Sequence, residues 1–169
     1  LPILFSEYRL EEKADIENYL SILTQIPSYF EGLLVYEQEK ADAGLFMSDL
    51  TADRVIRQCS ELLDASDLKD GSHFLEITFN DRLQRLAEKK ILSAEEVDSY
   101  VSEHNRLLTT VVLPAYDRLA DGLTVLKGSG KTTCGLAGQE NGRDYYRALV
   151  RLRTGSYRDI DEIKRLLAK

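Results

Sequence analysis

From Val97 to Leu126 apolar side chains recur at three- and four-residue steps, through Tyr100, Val101, His104, Leu107, Leu108, Val111, Val112, Ala115, Leu119 and Leu123. That spacing lays one continuous apolar stripe along the face of a single long helix. Ser93-Ala94-Glu95-Glu96 marks its start as a capping box, in which the serine oxygen takes a free N–H of the first turn and Glu96 reaches back to the serine N–H. Gly128 closes the far end, so the pattern predicts a helix over about 93–128. Pro114 lies inside it and has no N–H for the Thr110 carbonyl, which predicts a kink near Val111, with the Thr109 and Thr110 hydroxyls placed to satisfy freed backbone groups. A stripe of this length needs several partner helices to cover it.

The flanking segments supply them. Ile16, Tyr19, Leu20, Leu23 and Ile26 predict a helix over Glu11 to Gln25. Pro27 then predicts a break and a tight corner, with an antiparallel second helix carrying Phe30, Leu33, Leu34 and Ala41 to a stop at Gly44. Thr51 or Asp49 caps a third helix with the face Val55, Ile56, Cys59, Leu62 and Leu63, and Ala65 to Gly71 reads as a loop. Leu75, Phe79, Leu83 and Leu86 predict a fourth helix through Glu88. Phe74 to Phe79 alternates closely enough for a short strand, and the length of the pattern that follows decides for helix. The segment 127–142 holds five glycines and reads as an irregular loop. A helix over Gly142 to Thr154 then ends at Gly155, and Ser156-x-x-Asp159 caps a last helix with Ile160, Ile163, Leu166 and Leu167. The expectation is an all-α single domain, a helical array of six or seven helices around one long kinked helix.

Composition narrows the function classes. The 169 residues carry 29 acidic and 22 basic side chains, a net charge of -7, which repels a phosphate backbone and argues against nucleic acid as a partner. No apolar run approaches the roughly 18 residues of a membrane span, and Leu1 to Phe5 is too short and lacks the basic flank of a signal peptide. Cys59 and Cys134 stand alone and form neither a metal motif nor a disulfide framework. The chain begins with Leu and stops at Lys169 inside a running helical pattern, so it is expected to be a fragment of a longer chain.

Three patterns touch on chemistry. Gly128-Ser-Gly-Lys-Thr-Thr133 resembles the end of a phosphate-binding loop, but position 125 is Val where that motif needs its first glycine, and the segment leaves a helix where the motif leaves a strand. A connecting loop is the better reading. His73 and His104 are the two histidines and lack the spacing of a zinc site. His104, on the apolar stripe, reads as a hydrogen-bonded core residue, and His73 as a capping or solvent-facing one. No Gly-x-Ser-x-Gly elbow is present, and neither cysteine lies near a histidine. Arg143, Arg147 and Arg151 follow at four-residue steps beside Tyr145 and Tyr146, with Arg153 and Arg158 close by. Guanidinium forks next to phenols suit carboxylates and peptide groups, so Tyr145, Tyr146, Arg143 and Arg147 are the candidate substrate-contacting residues. A solvated helix face paired with neighbouring acids is the commoner use of such a row.

Gly44-Leu-Phe-Met-Ser-Asp after the first helices, Leu113-Pro-Ala-Tyr-Asp-Arg-Leu in the long helix, Cys134-Gly-Leu, Asn141-Gly-Arg-Asp-Tyr-Tyr, and Thr154-Gly-Ser with Asp161-Glu-Ile occur in this order along nearly the whole chain. Together they resemble bacterial domain-of-unknown-function family 885, whose members look like mostly helical, zincin-like zinc peptidases. The resemblance implies a metal site built from a His-Glu signature followed by Pro-Gly-His and a further acidic ligand, C-terminal to the part matched here. None of those residues has a counterpart in this chain, so no catalytic or metal residue is carried over. What is implied is a helical wall of a substrate cleft, upstream of the catalytic part, with zinc in the full-length parent. The partners implied are the remainder of the same polypeptide and a peptide substrate, in the bacterial cytoplasm or cell envelope. The Gly-rich loop and Tyr145-Tyr146 would face the cleft. The rival expectation is a helical protein-interaction module without enzymatic activity. A piece cut from its enzyme would also expose apolar surface and dimerise through it.

Overall fold

The computed structural model describes residues 1–62, 68, 71–131 and 135–168. Among them seven α-helices follow in order: α1 Pro2–Ser6, α2 Lys13–Asp42, α3 Asp49–Leu62, α4 Phe74–Glu88, α5 over 94–126, α6 Gly142–Thr154 and α7 Ile160–Leu167. No strand occurs among the described residues, and Phe74 to Phe79 is the start of α4. The expected all-α array around one long helix is the observed fold.

Helix α5 has the capping box its sequence predicts. The Ser93 hydroxyl accepts from the Glu96 N–H at 3.2 Å, and the Ser93 N–H donates to Glu96 Oε2 at 2.9 Å. It runs as Ala94–Leu107, a π turn over Leu108–Val112, and Leu113–Leu126. The disturbance that Pro114 demands is taken up by that wide turn, in which the Leu113 N–H reaches back to the Leu108 carbonyl. A turn with one extra residue relieves the crowding between the proline ring and the preceding carbonyls. The Thr109 and Thr110 hydroxyls donate to the Asn105 and Arg106 carbonyls at 2.9 and 2.8 Å.

The corner expected at Pro27 does not form. Helix α2 is continuous for 30 residues with Pro27 inside it. Its buried positions Ile16, Tyr19, Leu23, Ile26, Phe30, Glu37 and Ala41 keep one phase across the proline. A corner would remove half of that stripe from α5, and the burial of Tyr19, Leu23, Ile26 and Phe30 outweighs one lost hydrogen bond to the Leu23 carbonyl. Pro27→Ala restores that bond without altering the buried stripe, so it is expected to raise the unfolding free energy by about 2 kcal/mol. Urea denaturation with an unchanged slope checks this; a lower midpoint would mean that the proline bends α2 as its packing requires.

Helix α2 ends where Gly44 adopts φ +73, and the Leu45 and Gly44 N–H groups bond the Lys40 and Ala41 carbonyls at 2.7 and 2.8 Å. Neither Thr51 nor Asp49 caps α3. Ser48 does so, its hydroxyl accepting from the Thr51 N–H at 3.4 Å, while the Asp49 carboxylate accepts from the Gly128 N–H at 2.9 Å. Of the predicted α3 face, Cys59 is buried and Val55 and Ile56 are half-buried; the Leu62 side chain and Leu63 lie outside the described residues, as does most of the loop placed at 65–71. Asp159, rather than Ser156, caps α7 by accepting from the Asp161 N–H at 3.1 Å.

Helix α3 and α2 pack on the second half of α5, α4 on its first half, and α1 on α4. The densest part of the core is aromatic. Phe79 lies flat against His104, with ring centroids 4.1 Å apart, and against Tyr19 at 5.1 Å, while Phe5 of α1 meets Tyr19 edge-on. The half-buried Arg82 guanidinium sits 5.6 Å over the Tyr19 ring and donates to the Phe5 and Tyr8 carbonyls, tying the C-terminal end of α1 to α4. In contrast, Gly142 is the only buried residue of α6, and α7 has none.

Candidate functional site

The row of arginines and tyrosines stands outside this core. Asn141, at φ 57, turns the chain into α6, and Gly142 sits so close to the Leu136 carbonyl that a Cβ there would lie 1.6 Å from its oxygen. That approach seats the 3-10 turn Gly135–Gly138 against the first turn of α6. Gly155, at φ 64, then reverses the chain and brings the start of α7 back alongside.

Between these three pieces lies an open groove of about 610 Å³. Arg143, Tyr146 and Arg147 line it from α6, Asp161 and Lys164 from α7, and Leu136 from the 3-10 turn. Arg147 Nη1 pairs with Asp144 Oδ1 at 3.0 Å, and Lys164 with Asp161 at 3.6 Å. Arg143 has no acid within 4 Å among the described residues and is exposed. A smaller neighbouring hollow of about 240 Å³ is walled by Arg147, Arg151, Tyr157 and Arg158, with Arg151 stacked 5.7 Å from the Tyr157 ring.

Of the four residues that the sequence singles out, the fold brings Arg143, Tyr146 and Arg147 to one groove and leaves Tyr145 on another side of α6, 59% exposed. One residue along a helix is about 100° of rotation, so the two tyrosines cannot share a face. Lys164 and Asp161 join the groove from across Gly155, a partnership that helical spacing within α6 does not reveal. The surroundings are electrostatically distinct. Residues 142–169 hold eight basic and four acidic side chains, whereas residues 1–141 hold fourteen basic and twenty-five acidic.

The phosphate-loop pattern is used internally. The Gly128 N–H is held by Asp49, the Ser129 N–H by the Leu126 carbonyl at 3.3 Å and the Lys131 N–H by the Gly44 carbonyl at 3.2 Å, so these donors do not converge on a ligand. Gly130 is pressed against the Phe46 carbonyl, and the Lys131 stem lies over Gly44. Thr132 to Cys134 lie outside the described residues.

Among the described residues the two histidines do not build a zinc site. His104 is fully buried, 3.1 Å from the Tyr19 hydroxyl and stacked on Phe79. Burial and the nearby Arg82 and His73 push its pKa down to about 4. His73 caps α4, its Nδ1 accepting from the Leu75 N–H at 3.3 Å, and it too is buried, so the solvent-facing alternative does not hold. Among the described residues no three His, Cys, Asp or Glu side chains converge as a metal cage would require. Burial raises the Cys59 thiol pKa, the opposite of what a nucleophilic cysteine needs. No described helix is long and apolar enough to cross a membrane.

The family model described as a bacterial protein of unknown function, DUF885, matches residues 1–168. The chain belongs to this family. No curated protein and no solved structure matches it. The fold and groove above are thus those of a DUF885 chain.

Proposed function

We propose that this DUF885 chain is the non-catalytic helical part of a zinc-dependent peptidase and forms a wall of its substrate cleft. Zinc and the catalytic groups would come from the remainder of its own polypeptide. The observation that carries the reading is the groove between α6 and α7, open and lined by Arg143, Tyr146, Arg147 and Lys164. Arginine forks beside a phenol hold a peptide's carboxylates and carbonyl oxygens at defined angles while leaving the bond-breaking chemistry to other groups. The resemblance to zincin-like peptidases supplies the reaction class.

A second reading, a helical interaction module without activity, is favoured by the apolar residues that α6 and α7 leave in solvent, among them Leu152 and Leu167. Zinc content and peptide hydrolysis of the natural full-length product, measured beside the 169-residue chain, separate the two. The wall reading expects zinc and peptide turnover in the long form, neither in the short one, and an Arg147→Ala substitution in the long form that raises KM about tenfold with little change in kcat. A long form without zinc or turnover removes the peptidase reading, and unchanged KM in the variant removes the groove from the substrate path.

A further inference from the structure

Helices α6 and α7 form the basic end of an acidic chain, and their charges do not cancel one another. The four acids of residues 142–169 are each engaged within that segment. Asp144 pairs with Arg147 at 3.0 Å, Asp161 with Lys164 at 3.6 Å and Glu162 with Arg158 at 3.4 Å, while Asp159 accepts from the Asp161 N–H as the cap of α7. Arg143 and Arg151 are left exposed, with no acid within 4 Å among the described residues. The Arg151 guanidinium instead lies over the Tyr157 ring.

These two arginines are the ends of one row. Arg143 and Arg147 line the groove between α6 and α7, and Arg147 and Arg151 line the smaller hollow beside it, so Arg147 joins the two openings. Four residues of helix rise about 6 Å, which sets the step from one arginine stem to the next. In an extended peptide the side chains of one face recur every second residue, about 6.7 Å apart. Long arginine side chains absorb so small a mismatch, so α6 presents positive charge at the pitch at which an extended peptide presents alternate side chains. The contact with Asp144 does not close the middle position. Both partners are exposed, such a pair stabilises little in water, and it uses Nη1 while the fork has other N–H donors. Tyr146 adds a phenol in the groove that suits a peptide carbonyl.

We propose that the α6–α7 groove selects peptides carrying acidic side chains at alternate positions, with their carboxylates on Arg143, Arg147 and Arg151. This names the substrate class of the cleft-wall reading and rests on that reading for the ligand being a peptide. The remainder of the chain favours a short ligand of this kind over nucleic acid. Residues 1–141, with twenty-five acidic and fourteen basic side chains, repel a long, uniformly charged anion, whereas a short peptide keeps its charge on the arginine row.

Fluorescence anisotropy of a labelled, end-blocked Glu-Gly-Glu-Gly-Glu peptide with the 169-residue chain tests it. At low salt this peptide is expected to bind at least about tenfold more tightly than Gln-Gly-Gln-Gly-Gln, and less tightly as salt is raised. Gathering the acids as Glu-Glu-Glu-Gly-Gly should cost about threefold, because one carboxylate then faces away from the row. Arg143→Gln and Arg151→Gln should each weaken binding about threefold, and together about tenfold, since the two sites are about 12 Å apart along α6. Arg54→Gln on α3, outside the groove, removes the same charge and should leave binding unchanged. All three arginines are exposed, so none of these substitutions threatens the fold. Equal binding of the glutamate and glutamine peptides, an equal loss from Arg54→Gln and Arg143→Gln, or displacement by a short single-stranded oligonucleotide as readily as by unlabelled peptide would overturn the proposal. In the full-length product, equal KM values for acidic and neutral peptides, both raised by Arg147→Ala, would sink the acidic preference and leave the cleft wall standing. A full-length product without zinc or turnover sinks the cleft wall, and the binding ratios on this chain judge the acidic preference separately.

Discussion

Replacing Phe79 by alanine is expected to lower the unfolding free energy by about 3–5 kcal/mol, the largest loss of any single substitution considered for this chain. Phe79 is fully buried on α4 and is the ring through which α4 touches both α2 and α5, stacked between Tyr19 at 5.1 Å and His104 at 4.1 Å. Its removal opens a cavity whose walls are themselves rigid rings tied by the Tyr19 hydroxyl to His104, so the site has little freedom to collapse. Arg82 sits over Tyr19 and holds α1 to α4, so loosening of Tyr19 should also release α1. Urea denaturation gives the magnitude. Amide exchange in α1 gives the second effect, and unaltered protection there would mean that α1 docks independently of the aromatic stack.

Acidification is expected to remove about 3 kcal/mol between pH 7 and pH 4 through His104 alone. In the folded chain its pKa is pushed down to about 4, chiefly by burial, from the ordinary value of 6.5. Between those two values the unfolded chain binds a proton that the folded chain refuses, so stability rises with pH through this window. The contribution is fully present above about pH 6.5 and is lost as the pH falls toward 4. His104→Phe keeps a ring against Phe79 and removes the titrating nitrogens. The difference in stability between the parent and this variant should therefore shrink or reverse as the pH falls, whatever other acid-sensitive groups contribute. A constant difference from pH 7 to pH 4 would mean that the buried imidazole does not titrate with unfolding.

Helix boundaries were legible where a local motif specifies them. Ser93 with Glu96, Gly44, Gly128 and Gly155 act through groups within a turn of themselves, and each stands where its motif places it. Pro27 was legible as a residue and misleading as a signal. Its rule is local, whereas the outcome depends on a buried stripe of seven positions that pass it without changing phase. The arginine row was legible too, since Arg143 and Arg147 are one turn apart on any helix. Its partnership with Lys164 and Asp161 was not, because that depends on how the chain reverses at Gly155.

The sequence by itself determined that this DUF885 chain is helical, where most of its helices start and stop, and which side chains form the stripe of α5. Those features rest on backbone hydrogen bonds and side-chain spacing over a few residues. Only the tertiary structure decided that α2 runs through Pro27, that Pro114 is accommodated by a π turn, and that the amphipathic helices α6 and α7 stay outside the core. An apolar face reads alike along the chain whether it is covered or open to solvent. Its burial is set by the elements that reach it, and the helices packed on α5 are α2, α3 and α4.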